Sequence, residues 1–106
     1  MRFKVEFTTR AVKDLKSLSL DAQKTVLKES IHLETDPFPF KNKKKRVQGI
    51  KFPCYRLRVD YGSNSYRIFY GIDGDAVYIL RIVLKKDADK IIKRIHDVHF
   101  PPITSK

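Results

Sequence analysis

The sequence predicts an α+β fold of one domain, in which an antiparallel sheet packs against an N-terminal helical hairpin, in the order β-α-α-β-β-β-α. Apolar and polar residues alternate with period two at the start of the chain and again from Cys54 to Leu84, which predicts the strands. Between these stretches, and after the second, apolar residues recur at helical spacing. A chain of 106 residues is long enough to bury one core, so we expect a single domain over 1–106.

The stretch from Cys54 to Leu84 predicts a three-stranded antiparallel meander. Asp73-Gly74 separates its second and third segments and tolerates the positive φ angles of a type I′ turn. The third segment, Ala76 to Leu84, is apolar on both faces except at Tyr78 and Arg81, which predicts a central strand covered on both sides. The first two segments each place aromatic and aliphatic residues on one face: Tyr55, Leu57, Val59 and Tyr61, then Tyr66, Ile68, Tyr70 and Ile72.

The N-terminal third predicts a strand followed by two helices. Arg2 to Thr8 alternates as an amphipathic strand, and Thr8 or Thr9 can cap a helix from Arg10 to Leu18. Ser19 can cap a second helix, from about Leu20 to Glu34, which the prolines at 37 and 39 end. The apolar stripe of that second helix consists of Ala22, Val26, Leu27, Ile31 and Leu33.

The run from Lys41 to Arg46 is the densest cluster of charge in the chain. It has two interpretations, a solvated loop or a phosphate-binding rim beside the sheet, and the sequence leaves both open. Val47 to Gly49 can begin the next strand early. After the meander, a short helix is predicted with Asp87 as its cap and Ala88, Ile91, Ile92 and Ile95 as its stripe, followed by a loosely ordered tail over about 97–106.

The composition favours a polyanionic partner. The chain carries 23 Lys and Arg against 12 Asp and Glu, a net charge of +11, which suits RNA, DNA, a ribosome or an acidic protein as well as a merely solvated basic surface. The one cysteine, Cys54, precludes an internal disulfide, and its apolar neighbours favour a packed thiol. No signal-like or membrane-spanning run is found, so a cytoplasmic location is expected.

The sequence predicts neither a metal nor a cofactor. Its histidines, His32, His96 and His99, do not pair with cysteine at ligand spacing, and there is no phosphate-cradling glycine loop. The remaining candidate for a functional site is a group of arginines on the predicted strands. Arg56 and Arg58 leave one face of a strand, Arg67 has the parity to join them from the next strand, and Arg81 can add to the group. Such a cluster suits phosphate, unless Asp60, Glu6 or the C-terminal segment neutralises it.

From Phe3 to Ile95 the chain resembles the RelE/ParE superfamily of toxins from type II toxin–antitoxin modules. The matching segments are VEFTTRAVKDLKSL, DPFP, Val47-Gln48-Gly49, YRLRV, YRIFYGID and ILRIVLKKDA, in that order. RelE-like members are ribosome-dependent, metal-independent mRNA endonucleases, in which a ribose 2′-OH attacks the adjacent phosphate. The resemblance implies catalytic roles for Arg58, Arg67 and Lys86. It also implies substrate binding by Arg56 and Lys85. The arginine geometry adds Arg81 to the substrate-binding residues, and the charge run adds Lys44, Lys45 and Arg46.

The chain departs from the RelE-like pattern after the last strand. Active members carry a Tyr or a His-Tyr pair there, whereas the matching region, Lys85 to Ile92, has neither, which leaves His96 or His99 as a possible replacement. Without a group that titrates near neutrality, a cost of about 10²–10⁴ in rate is expected. Two alternatives therefore stay open: a ParE-like toxin that inhibits DNA gyrase, and a degenerate toxin that only binds an antitoxin. All three imply a RelB-like antitoxin as partner and a monomer in its absence.

Overall fold

A computed structural model describes residues 2–102 and confirms the α+β fold. The elements are β1 (Lys4–Phe7), α1 (Thr9–Lys16), α2 (Leu20–Ile31), β2 (Lys44–Arg46), β3 (Cys54–Tyr61), β4 (Asn64–Asp73), β5 (Ala76–Leu84) and α3 (Ala88–Ile95). Short 3₁₀ turns follow α2 at His32–Glu34 and precede α3 at Lys85–Asp87. The five strands form one sheet in the order β1-β5-β4-β3-β2.

The sheet is mixed, because β1 pairs parallel to β5 while every other pairing is antiparallel. The antiparallel sheet predicted from the sequence is therefore confirmed for β2 to β5 and wrong only where β1 joins β5. The helical hairpin carries the chain from the end of β1 across the sheet, so a parallel pairing of β1 is geometrically accessible. The predicted caps are confirmed: the hydroxyls of Thr8 and Ser19 accept hydrogen bonds from Ala11 N and Ala22 N, at 3.1 and 3.2 Å.

The first face of the sheet holds the main core beneath α1 and α2. The residues predicted for the inner faces of β3 and β4 lie in or against this core, and Ala22, Val26 and Leu33 are buried there. The prediction for Leu27 and Ile31 is wrong, since 37% and 57% of these residues are exposed. Helix α2 meets the sheet along Ala22, Val26 and Ser30, and residues one position further round the helix turn away from it.

The second face of the sheet is only partly covered. Helix α3 supplies Ala88, Ile91 and Ile95, as the stripe predicts, and packs them against Phe69 and Leu80. Asp87 occupies the N-cap position of α3, but its side chain makes no capping hydrogen bond. Cys54 is also in this second core, where burial raises the pKa of its thiol to about 12. The part of the face beyond Phe69 carries the arginines.

Two predictions about connections are corrected by the backbone. Between Asp73 and Ala76 only Gly74 has a positive φ, +59°, so Gly74 is the first central residue of the turn, as in type II′ rather than type I′. The charge run is not wholly a loop, because Lys44–Arg46 forms the edge strand β2 against β3. Strand pairing therefore starts before Val47, which is itself buried in the second core.

Phe100 anchors the segment after α3. Its ring stacks on Phe52 with 4.1 Å between centroids and meets the edge of Tyr78 at 5.8 Å. It lies over Gly71, where any Cβ would overlap the ring. Of the tail predicted over 97–106, residues 103–106 lie outside the described part of the chain. No helix within residues 2–102 has the length and apolar character needed to cross a bilayer.

Replacing Gly71 by alanine is expected to lower the free energy of unfolding by about 1–3 kcal/mol, because the new methyl group overpacks against Phe100. The measurement is urea denaturation of G71A, F100A and the double variant. Removal of the ring should relieve the overlap, so the substitution at Gly71 should cost less in the F100A background. Equal costs in the two backgrounds would contradict the contact.

Candidate anion-binding site

A shallow depression of about 200 Å³ lies on the uncovered part of the second face. We call the side chains that line it the basic cluster: Asn42, Lys43, Lys45, Arg56, Arg58 and Arg67. Five of these six carry a positive charge and none carries a negative one. The central strands β3 and β4 supply the arginines, and the edge strand β2 with the residues before it supplies the lysines.

Arg58 and Arg67 lie directly opposite each other on β3 and β4. Like charges at directly opposed positions of two antiparallel strands destabilise a sheet. The cost is comparable to what a favourable cross-strand pair contributes, which is roughly 0.2–1 kcal/mol. Arg67 is also largely buried, with 8% of its surface exposed. Burial, followed by the charges of Arg56 and Arg58, lowers the pKa of Arg67 below its ordinary value. The fold thus holds an arginine where its charge is unfavourable, which is typical of a binding site.

Asp60 and Ser65 hold the two arginines in place. The carboxylate of Asp60 accepts from Arg58 Nε at 3.1 Å, and its Oδ2 lies 3.0 Å from Arg58 Nη2. The hydroxyl of Ser65 donates to Asp60 Oδ1 at 2.7 Å and accepts from Arg67 Nη1 at 2.8 Å. The hydrogen bond from Ser65, followed by that from Arg58, lowers the pKa of Asp60. Asp60 therefore neutralises part of the cluster, as the sequence allowed.

Of the three neighbouring residues predicted for substrate binding in β2, the structure brings one into the basic cluster. Lys45 pairs with Arg56 and shares its face. Lys44 pairs with Leu57 and is buried, where its Nζ donates to the backbone oxygen of Asp36 at 2.7 Å and lies 3.1 Å from the Asp36 carboxylate. Arg46 is exposed opposite Tyr55, outside the cluster. Strand alternation explains this separation, but no local pattern in the charge run predicts a strand.

Arg81 does not join the basic cluster. It lies on β5 beyond the last residue that pairs with β1, and its Nε donates to Asp14 Oδ2 of α1 at 2.7 Å. The same carboxylate oxygen accepts from the backbone N–H of Ile82 at 3.0 Å. Both partners of this ion pair are mostly buried, with 13% and 11% of their side chains exposed. Arg81 therefore fixes α1 to the free part of the β5 edge.

The predicted residues after β5 lie beside the cluster or away from it. Lys85 and Lys86 are exposed and line an adjoining depression that includes Ser65. His99 lines a different depression, together with Arg10 and Arg81. Asn42 and Lys43 belong to the run interpreted as a phosphate-binding rim but are not among the residues predicted for substrate binding, since nothing in a charge run indicates where the chain turns back on itself. The sequence reasoning also missed Ser65, although the i, i+2 spacing to Arg67 places both on one face, a signal that could have found it.

The arrangement suits the binding of phosphate groups. Guanidinium groups bind phosphate through paired hydrogen bonds. A cluster of guanidinium groups in a depression also stabilises negative charge that develops on a phosphate during a reaction. Among residues 2–102, no three His, Cys, Asp or Glu side chains come together in a metal-binding group.

Comparisons with known proteins identify one family. The family model described as ParE toxin of type II toxin-antitoxin system, parDE, matches residues 5–89. No curated protein matches the sequence. Among 17 matching chains of solved structures is an arginine-to-alanine double mutant of E. coli toxin RelE in the free state, with 19% identity, coverage of 90% of this chain and 99% of that one, and a TM-score of 0.66.

Two further solved structures extend this similarity to complexes and to the ParE branch. The toxin–antitoxin complex RelBE2 from Mycobacterium tuberculosis matches with 25% identity over 80% of this chain and 100% of that one, at a TM-score of 0.63. The chromosomal ParDE system from P. aeruginosa matches with 16% identity over 78% of this chain and 96% of that one, at a TM-score of 0.61. The fold is therefore shared by proteins described as RelE and as ParE.

Replacing Arg67 by methionine is expected to raise the free energy of unfolding by up to about 1 kcal/mol, because the opposed like charge is removed. The matched variant R81M should instead lower it by about 1–3 kcal/mol, because the mostly buried carboxylate of Asp14 loses its nearest cation and keeps only the Ile82 N–H and the more distant Arg10. Urea denaturation of both variants at neutral pH tests this contrast. An R67M variant that is less stable than R81M would show that Arg67 is structural.

Proposed function

The chain belongs to the RelE/ParE superfamily of type II toxin–antitoxin toxins, and we propose that it is the toxin that cleaves mRNA on the ribosome at the basic cluster. The observation that supports this most strongly is the opposed pair Arg58 and Arg67, whose mutual repulsion a bound phosphate would reduce. The positive charge of the depression and the net charge of +11 favour a polyanion over a small neutral substrate.

In the proposed reaction, a ribose 2′-oxygen attacks the adjacent phosphorus. The bond between the 2′-oxygen and phosphorus forms, the bond from phosphorus to the 5′-oxygen breaks, and a 2′,3′-cyclic phosphate remains. Water accepts the hydroxyl proton as the 2′-oxygen attacks, and the departing 5′-oxygen takes a proton from water. Negative charge grows on the non-bridging oxygens, where we assign Arg67 and Arg58 to stabilise it. Arg56 and Lys45 are assigned to neighbouring phosphates, and Lys86 and Lys85 to the strand as it leaves past Ser65.

Asp60 and Ser65 have positioning roles in this proposal. Arg58 extends from an exposed strand position, and a guanidinium without a partner would sample many rotamers there. The hydrogen bonds to Asp60 limit that freedom before substrate binds, and those through Ser65 do the same for Arg67. Because the carboxylate also offsets part of the cluster's charge, it weakens phosphate binding while it improves the geometry.

Brief induction of the chain in bacteria is expected to create new mRNA 5′ ends in translated frames, and R67A should reduce them by about 10²-fold or more, as removal of one oxyanion donor does in other enzymes. The measurement is transcriptome-wide mapping of 5′ ends. The matched control is R94A, which removes the same charge from an exposed position on α3 and should leave the ends unchanged. Undiminished ends with R67A would contradict the assigned site.

Gyrase inhibition is the second candidate, because the matching family model is that of ParE. The absence of Tyr and His from Lys85 to Ile92 also favours it. In that case induction would arrest growth and cause DNA damage without new mRNA ends. Absence of growth arrest would instead support a degenerate toxin that only binds its antitoxin.

We further propose that a RelB-like antitoxin binds this chain. Relatives have been crystallised as RelE–RelB complexes from Pyrococcus horikoshii and Methanococcus jannaschii. An acidic segment that folds on binding would cover the basic cluster, and its association would be fast and sensitive to salt. Failure of any product of a neighbouring reading frame to co-purify with the chain would contradict this.

A further inference from the structure

A second depression, of about 460 Å³, continues from the basic cluster over the edge of β3. The two depressions share Asn42, Lys43 and Arg58. The second lies where β2 has not yet begun, and there the backbone oxygen of Lys43 accepts from the N–H of Arg58 at 2.8 Å. Its other lining residues come from α2 and β3: Thr25, Glu29, Val59 and Asp60. A ligand bound in one depression can therefore extend into the other.

The charges of the two depressions differ sharply. The basic cluster has five cations and no carboxylate, whereas the second depression has two cations and two carboxylates. These are paired: Lys43 Nζ lies 2.7 Å from Glu29 Oε1, and Arg58 is bonded to Asp60. A balanced, polar surface does not favour a second phosphate. It suits a neutral group rich in hydrogen-bond donors that is attached to a phosphate.

RNA has this pattern, since charged phosphates alternate with neutral nucleosides. We propose that the second depression binds the nucleoside next to the phosphate held by the basic cluster, and that it prefers bases with an exocyclic amino group. This inference rests on the proposed function and adds a base preference to it. The volume of the second depression, about 460 Å³, is within the range of small-ligand sites.

The preference for an amino group follows from Glu29. A carboxylate accepts hydrogen bonds and has no N–H or O–H group to donate. Lys43 occupies one oxygen, and the side chain remains partly exposed, at 20%. Carboxylates accept from the amino group of cytosine, and adenine and guanine also carry one. Uracil has carbonyl oxygens in place of the amino group, and these would face the carboxylate unfavourably. The amide of Asn42 and the hydroxyl of Thr25 can bond to either kind of base.

The test is NMR titration of the isotopically labelled chain with inorganic phosphate, ribose 5-phosphate and the four nucleoside 3′-monophosphates. All ligands should shift the backbone amides of Arg56 and Arg67, and only the nucleotides should also shift those of Thr25 and Glu29, which line the second depression alone. Adenosine, cytidine and guanosine nucleotides should bind about tenfold tighter than the uridine nucleotide. A discrimination of that size corresponds to about 1.4 kcal/mol.

The variant E29Q separates base preference from charge. The substitution removes the ion pair of Lys43 and can strengthen the binding of every anion equally. Because the glutamine amide both donates and accepts hydrogen bonds, the ratio of the affinities for cytidine and uridine nucleotides should fall towards one. The control E34Q removes the same charge from the 3₁₀ turn after α2 and should leave the ratio unchanged.

Two results would overturn the subsite in different ways. If phosphate shifts Arg56 and Arg67 but the four nucleotides bind equally and leave Thr25 and Glu29 unshifted, the subsite is wrong and the proposed phosphate site stands. If neither phosphate nor any nucleotide shifts the arginines or the second depression, the proposed function and the subsite are both wrong.

Discussion

The structure depends on covering strand β4 on both faces. Its inner face, with Ile68 and Tyr70 fully buried, is closed by the helical hairpin, and the hydroxyl of Tyr70 donates to the backbone oxygen of Pro37 at 2.7 Å. Its outer face is closed only as far as Phe69, by α3 and the following segment that contains Phe100. The helical hairpin and α3 are both needed, because a strand with apolar residues on both faces is stabilised fully only when both of its faces are removed from water.

The candidate site lies where the second cover ends. Phe69 and Arg67 share one face of β4, two residues apart, so a single step along the strand leads from a buried ring to a guanidinium. Strand pairing fixes the backbone of the arginines, and hydrogen bonds to Asp60 and Ser65 hold the side chains of Arg58 and Arg67. Preorganised charge of this kind needs little rearrangement when a phosphate arrives, which is how electrostatic catalysis and tight anion binding are both achieved.

The sequence was informative where period and parity decide the outcome. The meander, the face shared by Arg56, Arg58 and Arg67, and the stripe of α3 follow from alternation or helical spacing alone. Parity failed for Arg81, because the β5 register shifts opposite Phe69 and because Asp14 from a distant helix binds it. The place of Lys44 also depended on tertiary pairing. Local patterns do not encode such contacts between distant segments.

The most direct test of the central claim is cleavage of a defined mRNA by the purified chain on programmed ribosomes. Single 2′-deoxy substitutions at the sites cut in the unmodified mRNA show whether the 2′-OH is the attacking group. The account predicts a 2′,3′-cyclic phosphate and a 5′-hydroxyl at each cut, and loss of the cut wherever the 2′-OH is missing. Cleavage that persists at deoxy positions, or an mRNA that stays intact while the chain still arrests growth, would contradict it.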